Sequence, residues 1–228
     1  MGLDAESLVS IIIPTLNEQS IIEGLLRHLT GLHPHEIIVA DGGSIDRTRE
    51  LAAPYACVIQ TAAGRGPQLN AGAARATGDI LLFLHADVRL AASALPQITR
   101  ALQSPAVAGG NLDIHYEGGW EARIFTSVNR LRRHFRIFYG DSGIFCRREV
   151  FHHLGGYPPW PILEDYAFAR RLARHGRLAL LDEPIHVSSR RWQQAGLLQT
   201  LWLWFWIQTL YLAGVSPHRL AAWYRQVR

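Results

Sequence analysis

Four stretches of this chain carry side chains whose types and spacing could do chemistry. His85-Ala86-Asp87 puts an imidazole and a carboxylate two positions apart, which on extended backbone face the same side. One carboxylate together with diphosphate oxygens is an ordinary site for Mg²⁺ or Mn²⁺. Glu164-Asp165 offers paired acids at the start of a helical stretch, a place where a general base can stand and where the helix dipole alone also favours acids. Asp41-Gly-Gly-Ser-Ile-Asp46-Arg-Thr48 sets a carboxylate before a glycine turn and a helix start, and Gly64-Arg65-Gly66-Pro67 opens a second helix with a guanidinium. Taken singly, each is also a common turn or cap.

The elements that must position these groups are legible from hydrophobic periodicity. Leu8–Ile13 is an apolar run broken only by Ser10, the pattern of a strand buried on both faces. Glu18–Thr30 has helical spacing and Gly31 follows as a stop. Further strands are expected at Glu36–Ala40, Ala56–Gln60 and Asp79–Leu84, with helices from Ser44 or Asp46 to Ala53 and over Gln68–Ala76. Strands separated by helices argue βαβ units in a largely parallel sheet, whose ligands sit at the carboxyl ends of the strands. That rule selects Pro14–Glu18, Asp41–Thr48, Gly64–Asn70 and His85–Asp87. Beyond residue 105 the expectation is an extended Val107–Tyr116, a helix near 120–136, a strand near Ser142–Cys146 and a helix over Tyr166–His175.

Composition excludes several chemistries. All 23 basic residues are arginine, so lysine Schiff bases, lysine-anchored pyridoxal phosphate and a Walker A loop are ruled out. Cys57 and Cys146 stand far apart, against a zinc ribbon or a dithiol site. A dinucleotide fingerprint fails because Pro-Thr-Leu-Asn-Glu, not a glycine turn, follows the first strand. The net charge of +4 divides into −3 over residues 1–100 and +7 over the rest. A basic second half suits anionic lipid or a phosphorylated substrate, or simply keeps the surface soluble; without a DNA-reading motif, no nucleic-acid partner is expected. Leu8–Ile13 is too short and wrongly flanked for a signal peptide, which places the chain in the cytoplasm.

In this order and spacing, the segments resemble the family 2 glycosyltransferases of GT-A fold. The matching residues are Ile11-Ile-Ile-Pro-Thr-Leu-Asn-Glu18, Asp41-Gly-Gly-Ser-x-Asp46-x-Thr48, Gly64–Gly72 with Asn70, His85-Ala-Asp87 and Glu164-Asp165, running from about Ser10 to Trp192. Leu84-His-Ala-Asp87, Gly140-Asp-Ser-Gly143 and Ser189-Arg-Arg-Trp192 look like a small bacterial subgroup sometimes associated with arsenosugar biosynthesis. The resemblance implies a Rossmann-like, mostly parallel mixed sheet flanked by helices, over residues 1–192, with a helical extension over 193–228. It implies that Pro14, Thr15 and Glu18 line a nucleotide pocket, that Asp41 holds the base, and that Gly64, Arg65 and Asn70 contact base, ribose or phosphate. Asp87 matches the last carboxylate of the metal motif, whose usual first Asp is His85 in this chain. Imidazole ligates Mn²⁺ but suits Mg²⁺ poorly. Asp165 matches the catalytic base, with Glu164 beside it and Asp141 on the acceptor or phosphate side. Arg190, Arg191 and Trp192 match the end of a motif of processive synthases whose leading Gln is absent. The implied reaction is transfer of a sugar from a nucleoside-diphosphate sugar to a hydroxyl, metal-dependent and inverting. Two alternatives stand beside it: a sugar-1-phosphate nucleotidyltransferase, against which the missing lysine speaks, and a nucleotide-sugar-sensing, membrane-associated module without catalysis.

Leu197–Val215 carries Trp202, Trp204, Phe205, Trp206 and Tyr211 and no charge. Its polar residues Gln199, Thr200, Gln208 and Thr209 form no single helical face. Such a helix calls for burial in its own domain or a homodimer, for an interfacial place on a membrane, where Trp is favoured, or for a span. Trp204 falls opposite Trp202 and Trp206, so one face is expected on the domain and the other against lipid or a second subunit. The expected location is peripheral, on the inner face of the cell membrane, with a lipid-linked or amphiphilic acceptor.

Overall fold

The computed structural model describes residues 7–134, 139–187 and 197–227. Its first part repeats strand and helix: β1 (Val9–Thr15), α1 (Ile22–Thr30), β2 (Glu36–Asp41), α2 (Thr48–Ala52), β3 (Cys57–Gln60), α3 (Arg65–Arg75) and β4 (Ile80–Phe83). β1 pairs in parallel with both β2 and β4, and β2 with β3. Alternation along the apolar run decides how the sheet is covered. Ile11 and Ile13 point into a core shared with Leu25, Leu26 and Leu29 of α1, whereas Ile12 points to the opposite core with Leu69 and Ala73 of α3. Helix α3 lies so close to β1 that a Cβ on Gly72 would stand 2.4 Å from Ile12 Cγ2.

The second part is β5 (Val88–Leu90), α4 (Ala94–Leu102), β6 (Val107–Tyr116), α5 (Trp120–His134), a 3-10 turn (Gly140–Ser142), β7 (Ile144–Arg147), α6 (Arg148–His153), α7 (Glu164–His175), β8 (Arg177–Val187), α8 (Leu197–Leu212) and α9 (Pro217–Val227). One mixed sheet runs β3-β2-β1-β4-β7-β6-β8-β5. β7 is antiparallel to β4 and to β6, and β6 is parallel to β8. Two of the arginines counted in the basic half are interior ties. Arg133 donates to Asp113 (2.9 Å) and to the Leu181 carbonyl (2.7 Å). Arg147 donates to the Leu102, Ser104 and Val107 carbonyls around the end of α4, where the helix dipole favours a cation.

The tail is short for a span. Helix α8 covers sixteen residues, and among the described residues no helix is long and apolar enough to cross a membrane. Leu203 and Ile207 are buried against Leu163, Tyr166 and Leu220, and the Trp204 ring lies 5.4 Å from that of Phe125 in α5. Trp202 and Phe205 face outward, 56% and 61% exposed, with Trp206 and Leu212 beside them.

Candidate active site

The carboxyl ends of β1 and β2 are locked together by the loops that follow them. Asp41 is fully buried. Its Oδ1 accepts from the Gly43 and Ser44 amides (3.1 and 2.9 Å), and its Oδ2 from the Ser44 and Thr15 hydroxyls. Burial raises its pKa, and these hydrogen bonds outweigh that and hold it below the ordinary value. Asp46 accepts from the Thr48 amide (3.0 Å), and the Thr48 hydroxyl accepts from the Glu18 amide (2.8 Å), so the two loops are zipped. The Glu18 carbonyl caps α1 by accepting from Ile21 and Ile22. Pro14 stands in β1 opposite Ala40. Gln68, a residue that no sequence motif singled out, is buried and donates to the Thr15 and Ala40 carbonyls (2.8 and 2.7 Å).

The family resemblance implies that Asp41 holds the base and Asn70 contacts the donor; in the structure both side chains are engaged internally. Every Asp41 oxygen is taken up by the loop. Asn70 donates to the Tyr157 carbonyl and accepts from the Tyr157 amide, each at 2.8 Å, tying α3 to the loop before α7. Gly64 begins α3 at φ +127°, a backbone that favours glycine.

The titratable groups meet one step away. Gly140 lies between two of them: a Cβ there would stand 2.8 Å from His85 Nε2 and 3.3 Å from Asp165 Oδ2. The Gly140 amide donates to Asp165 Oδ2 (2.7 Å), and the Tyr166 amide to Asp165 Oδ1 (2.7 Å). Glu164 is buried, with Oε1 2.7 Å from Arg65 Nε and Oε2 without a hydrogen-bond partner. Asp141 Oδ2 accepts from the Tyr116 hydroxyl (2.9 Å), which in turn accepts from Asn129 Nδ2 (3.2 Å). Arg65 is the guanidinium that faces this group, with Glu164, Asp165 and Asp141 all acting to raise its pKa against burial. Arg190, Arg191 and Trp192 lie outside the described residues.

Among the described residues, carboxylates outnumber the guanidinium that faces them. Burial, the Asp165 charge and only partial relief from Arg65 push the Glu164 carboxyl well up. Burial pushes Asp141 up to about 6; Tyr116 opposes this, and Asp165 and Asp87 add to it. A raised carboxyl pKa means that the folded state prefers the neutral acid, so this stability is present at low pH and lost as pH rises through the raised value. Glu164→Gln removes that charge. Its melting temperature relative to the unsubstituted protein is expected to be higher at about pH 8 than at about pH 5, as read by thermal denaturation at the two values. A difference that shrinks as pH rises contradicts the assignment.

Residues 10–155 match the family model described as glycosyl transferase family 2. An undecaprenyl-phosphate 4-deoxy-4-formamido-L-arabinose transferase of Pseudomonas paraeruginosa is 29% identical over 156 residues, covering 61% of this chain and 46% of that protein, so the match spans about half of that relative's length. An uncharacterised glycosyltransferase of Mycobacterium tuberculosis is 29% identical over 171 residues, covering 68% of this chain and 77% of that protein. Among solved structures, a mannosyltransferase of Pyrobaculum calidifontis in complex with GDP-mannose and Mn²⁺ superposes with a TM-score of 0.62 at 23% identity, covering 83% of this chain and 59% of that one. Glucosyl-3-phosphoglycerate synthase of M. tuberculosis, with Mn²⁺, UDP and phosphoglyceric acid, gives 0.61 at 23%, covering 80% and 70%. These neighbours share the GT-A sheet and its flanking helices, and with the family match over most of the length the conclusion is direct: the chain belongs to glycosyl transferase family 2.

Proposed function

We propose that this protein transfers a glycosyl group from a nucleoside-diphosphate sugar to an acceptor hydroxyl in a single displacement, with Asp165 as the base and a divalent cation at the donor diphosphate. The observation that carries this reading is the meeting of Arg65, Glu164, Asp165 and the Gly140–Asp141 turn beside the His85–Asp87 strand end. Arg65, with a side chain 40% exposed, stands where an incoming diphosphate can be met by positive charge. Asp165 is held on both oxygens by amides, one of them its own helix start, which fixes the direction in which it takes a hydroxyl proton. Glu164 is occupied by Arg65 and sets that guanidinium in place. Pro14, Thr15 and Glu18 frame the nucleoside side, with Asp41 shaping the loop that forms its wall.

Among the described residues no three His, Cys, Asp or Glu side chains come together as a complete metal site. The surplus of carboxylates and the unpartnered buried oxygens of Asp141 and Glu164 nevertheless fit a cation. Asp87, with His85, would hold Mn²⁺ or Mg²⁺, and the neighbours bound to Mn²⁺ support the first of these. Such an ion supplies charge neutralisation to the leaving diphosphate.

The acceptor belongs to the lipid-linked or amphiphilic class. Two features support this: the relative named for undecaprenyl phosphate, and the outward Trp202, Phe205, Trp206 and Leu212 of α8, aromatic residues of the kind favoured at a membrane surface. The experiment is a panel of UDP-, GDP- and dTDP-sugars with Mn²⁺, scored for released nucleoside diphosphate with and without vesicles carrying polyprenyl acceptors. Release from one donor, greater with vesicles, is expected; no release from any donor counts against transfer, and release indifferent to vesicles counts against the lipid acceptor.

A further inference from the structure

The 3-10 turn follows from the sheet. Phe83 of β4 is opposite Ile144 of β7 in antiparallel register, so the residues just beyond the pairing, His85–Asp87 on one side and Gly140–Ser142 on the other, face each other. Gly140 is wedged between His85 and Asp165, which fixes where the next side chain begins. Asp141 then projects a carboxylate that is half used. Asn129 donates to the Tyr116 oxygen, so the Tyr116 proton goes to Asp141 Oδ2, and that oxygen acts as an acceptor. Its other oxygen, Oδ1, is buried and has no hydrogen-bond partner among the described residues, and the Asp165 and Asp87 charges act on the same carboxylate. A buried carboxylate oxygen left unpartnered beside like charges is costly unless a cation compensates it.

We infer that Asp141 is the second carboxylate ligand of the divalent cation, paired with Asp87 across the strand end, and that Tyr116 and Asn129 are positioning residues that aim it. This rests on the divalent-cation reading above and extends it. The position that would carry the first acid of the metal motif holds His85, and Asp141 returns an oxygen donor to the site from the neighbouring strand connection. Two protein carboxylates with the remainder of the shell from diphosphate oxygens and water suit a hard cation.

The test reads the metal directly. Mn²⁺ is titrated into the full chain in the presence of UDP, and separately of GDP, and bound ion is followed by loss of the free-ion electron paramagnetic resonance signal. Asp141→Asn, nearly isosteric and checked for folding by thermal melting in EDTA, is expected to weaken Mn²⁺ binding at least about tenfold, and Tyr116→Phe by a smaller factor, on the scale of outer-shell substitutions. Nucleotide affinity measured in EDTA is expected to stay unchanged in both variants. Three results overturn the assignment. Wild-type Mn²⁺ affinity in Asp141→Asn overturns it while leaving the cation reading intact. An equal loss of nucleotide affinity in EDTA would make Asp141 a structural or donor-binding residue. If the unsubstituted protein itself holds no Mn²⁺ with either nucleotide, the cation reading fails together with this inference.

Discussion

Replacing Asp165 by asparagine is expected to lower turnover by about 10²–10⁴ while leaving donor affinity close to that of the unsubstituted protein. The substitution keeps shape and volume but cannot take a proton. It also has a structural side: both Asp165 oxygens accept from amides, Gly140 on one and Tyr166 on the other, and an asparagine amide nitrogen cannot accept. One of those bonds is therefore lost, at about 1–3 kcal/mol of stability. The kinetic split separates the roles. Loss of a base lowers kcat with the donor KM retained, whereas collapse of the turn would disturb both. A variant with near-normal turnover would move the base to Glu164 or Asp141, each an acid with a raised pKa in the same cluster.

Asp87→Ala is expected to abolish the Mn²⁺-dependent part of donor binding and leave the fold intact. Asp87 stands in the connection between β4 and β5, one residue before Val88, and lies outside the register of both pairings. Calorimetric titration of the donor with and without Mn²⁺ checks this, and a metal-dependent increment equal to that of the unsubstituted protein sinks the assignment. Asp41 makes a useful contrast. Its buried carboxylate accepts four hydrogen bonds that shape the loop, so truncating Asp41 acts through the loop whatever its effect on the nucleoside.

The contrast between these two acids shows what the sequence could and could not convey. Strand ends in a βαβ sheet are predictable because strands buried on both faces are nearly continuous apolar runs; Leu8–Ile13, broken only by Ser10, and Ile80–Leu84 are such runs, and β1 and β4 lie largely on them. The same logic fails for β8, which is largely half-exposed and interrupted by Asp182-Glu183-Pro184, and for the three-residue β5. Neither has the contrast that a periodicity argument needs. At the site, a motif locates a side chain but not its hydrogen bonds. Asp41 and Asp87 look alike as acids following strands, yet Asp41 is fully buried and Asp87 only partly. Gln68, Tyr116 and Asn129 act through contacts between residues distant in sequence, which no motif specifies, and the Gly140-Asp-Ser-Gly143 motif locates Gly140 without showing that its amide holds Asp165. The tail was legible to the extent that helical geometry is strict. At 100° per residue, Trp204 must face away from Trp202 and Trp206, and it packs on Phe125 while they face outward.

The measurement that bears most directly on the account is the fate of the anomeric carbon. With the donor identified from the nucleotide-sugar panel, proton NMR of the running reaction follows the anomeric signal of the sugar from donor to first-formed product. The donor signal is expected to decay as nucleoside diphosphate appears, and the new glycosidic signal to have the opposite configuration, at a rate that falls with Asp165→Asn. A product of retained configuration, or a donor whose bond to the diphosphate survives while the protein binds it, contradicts single-displacement glycosyl transfer by this site.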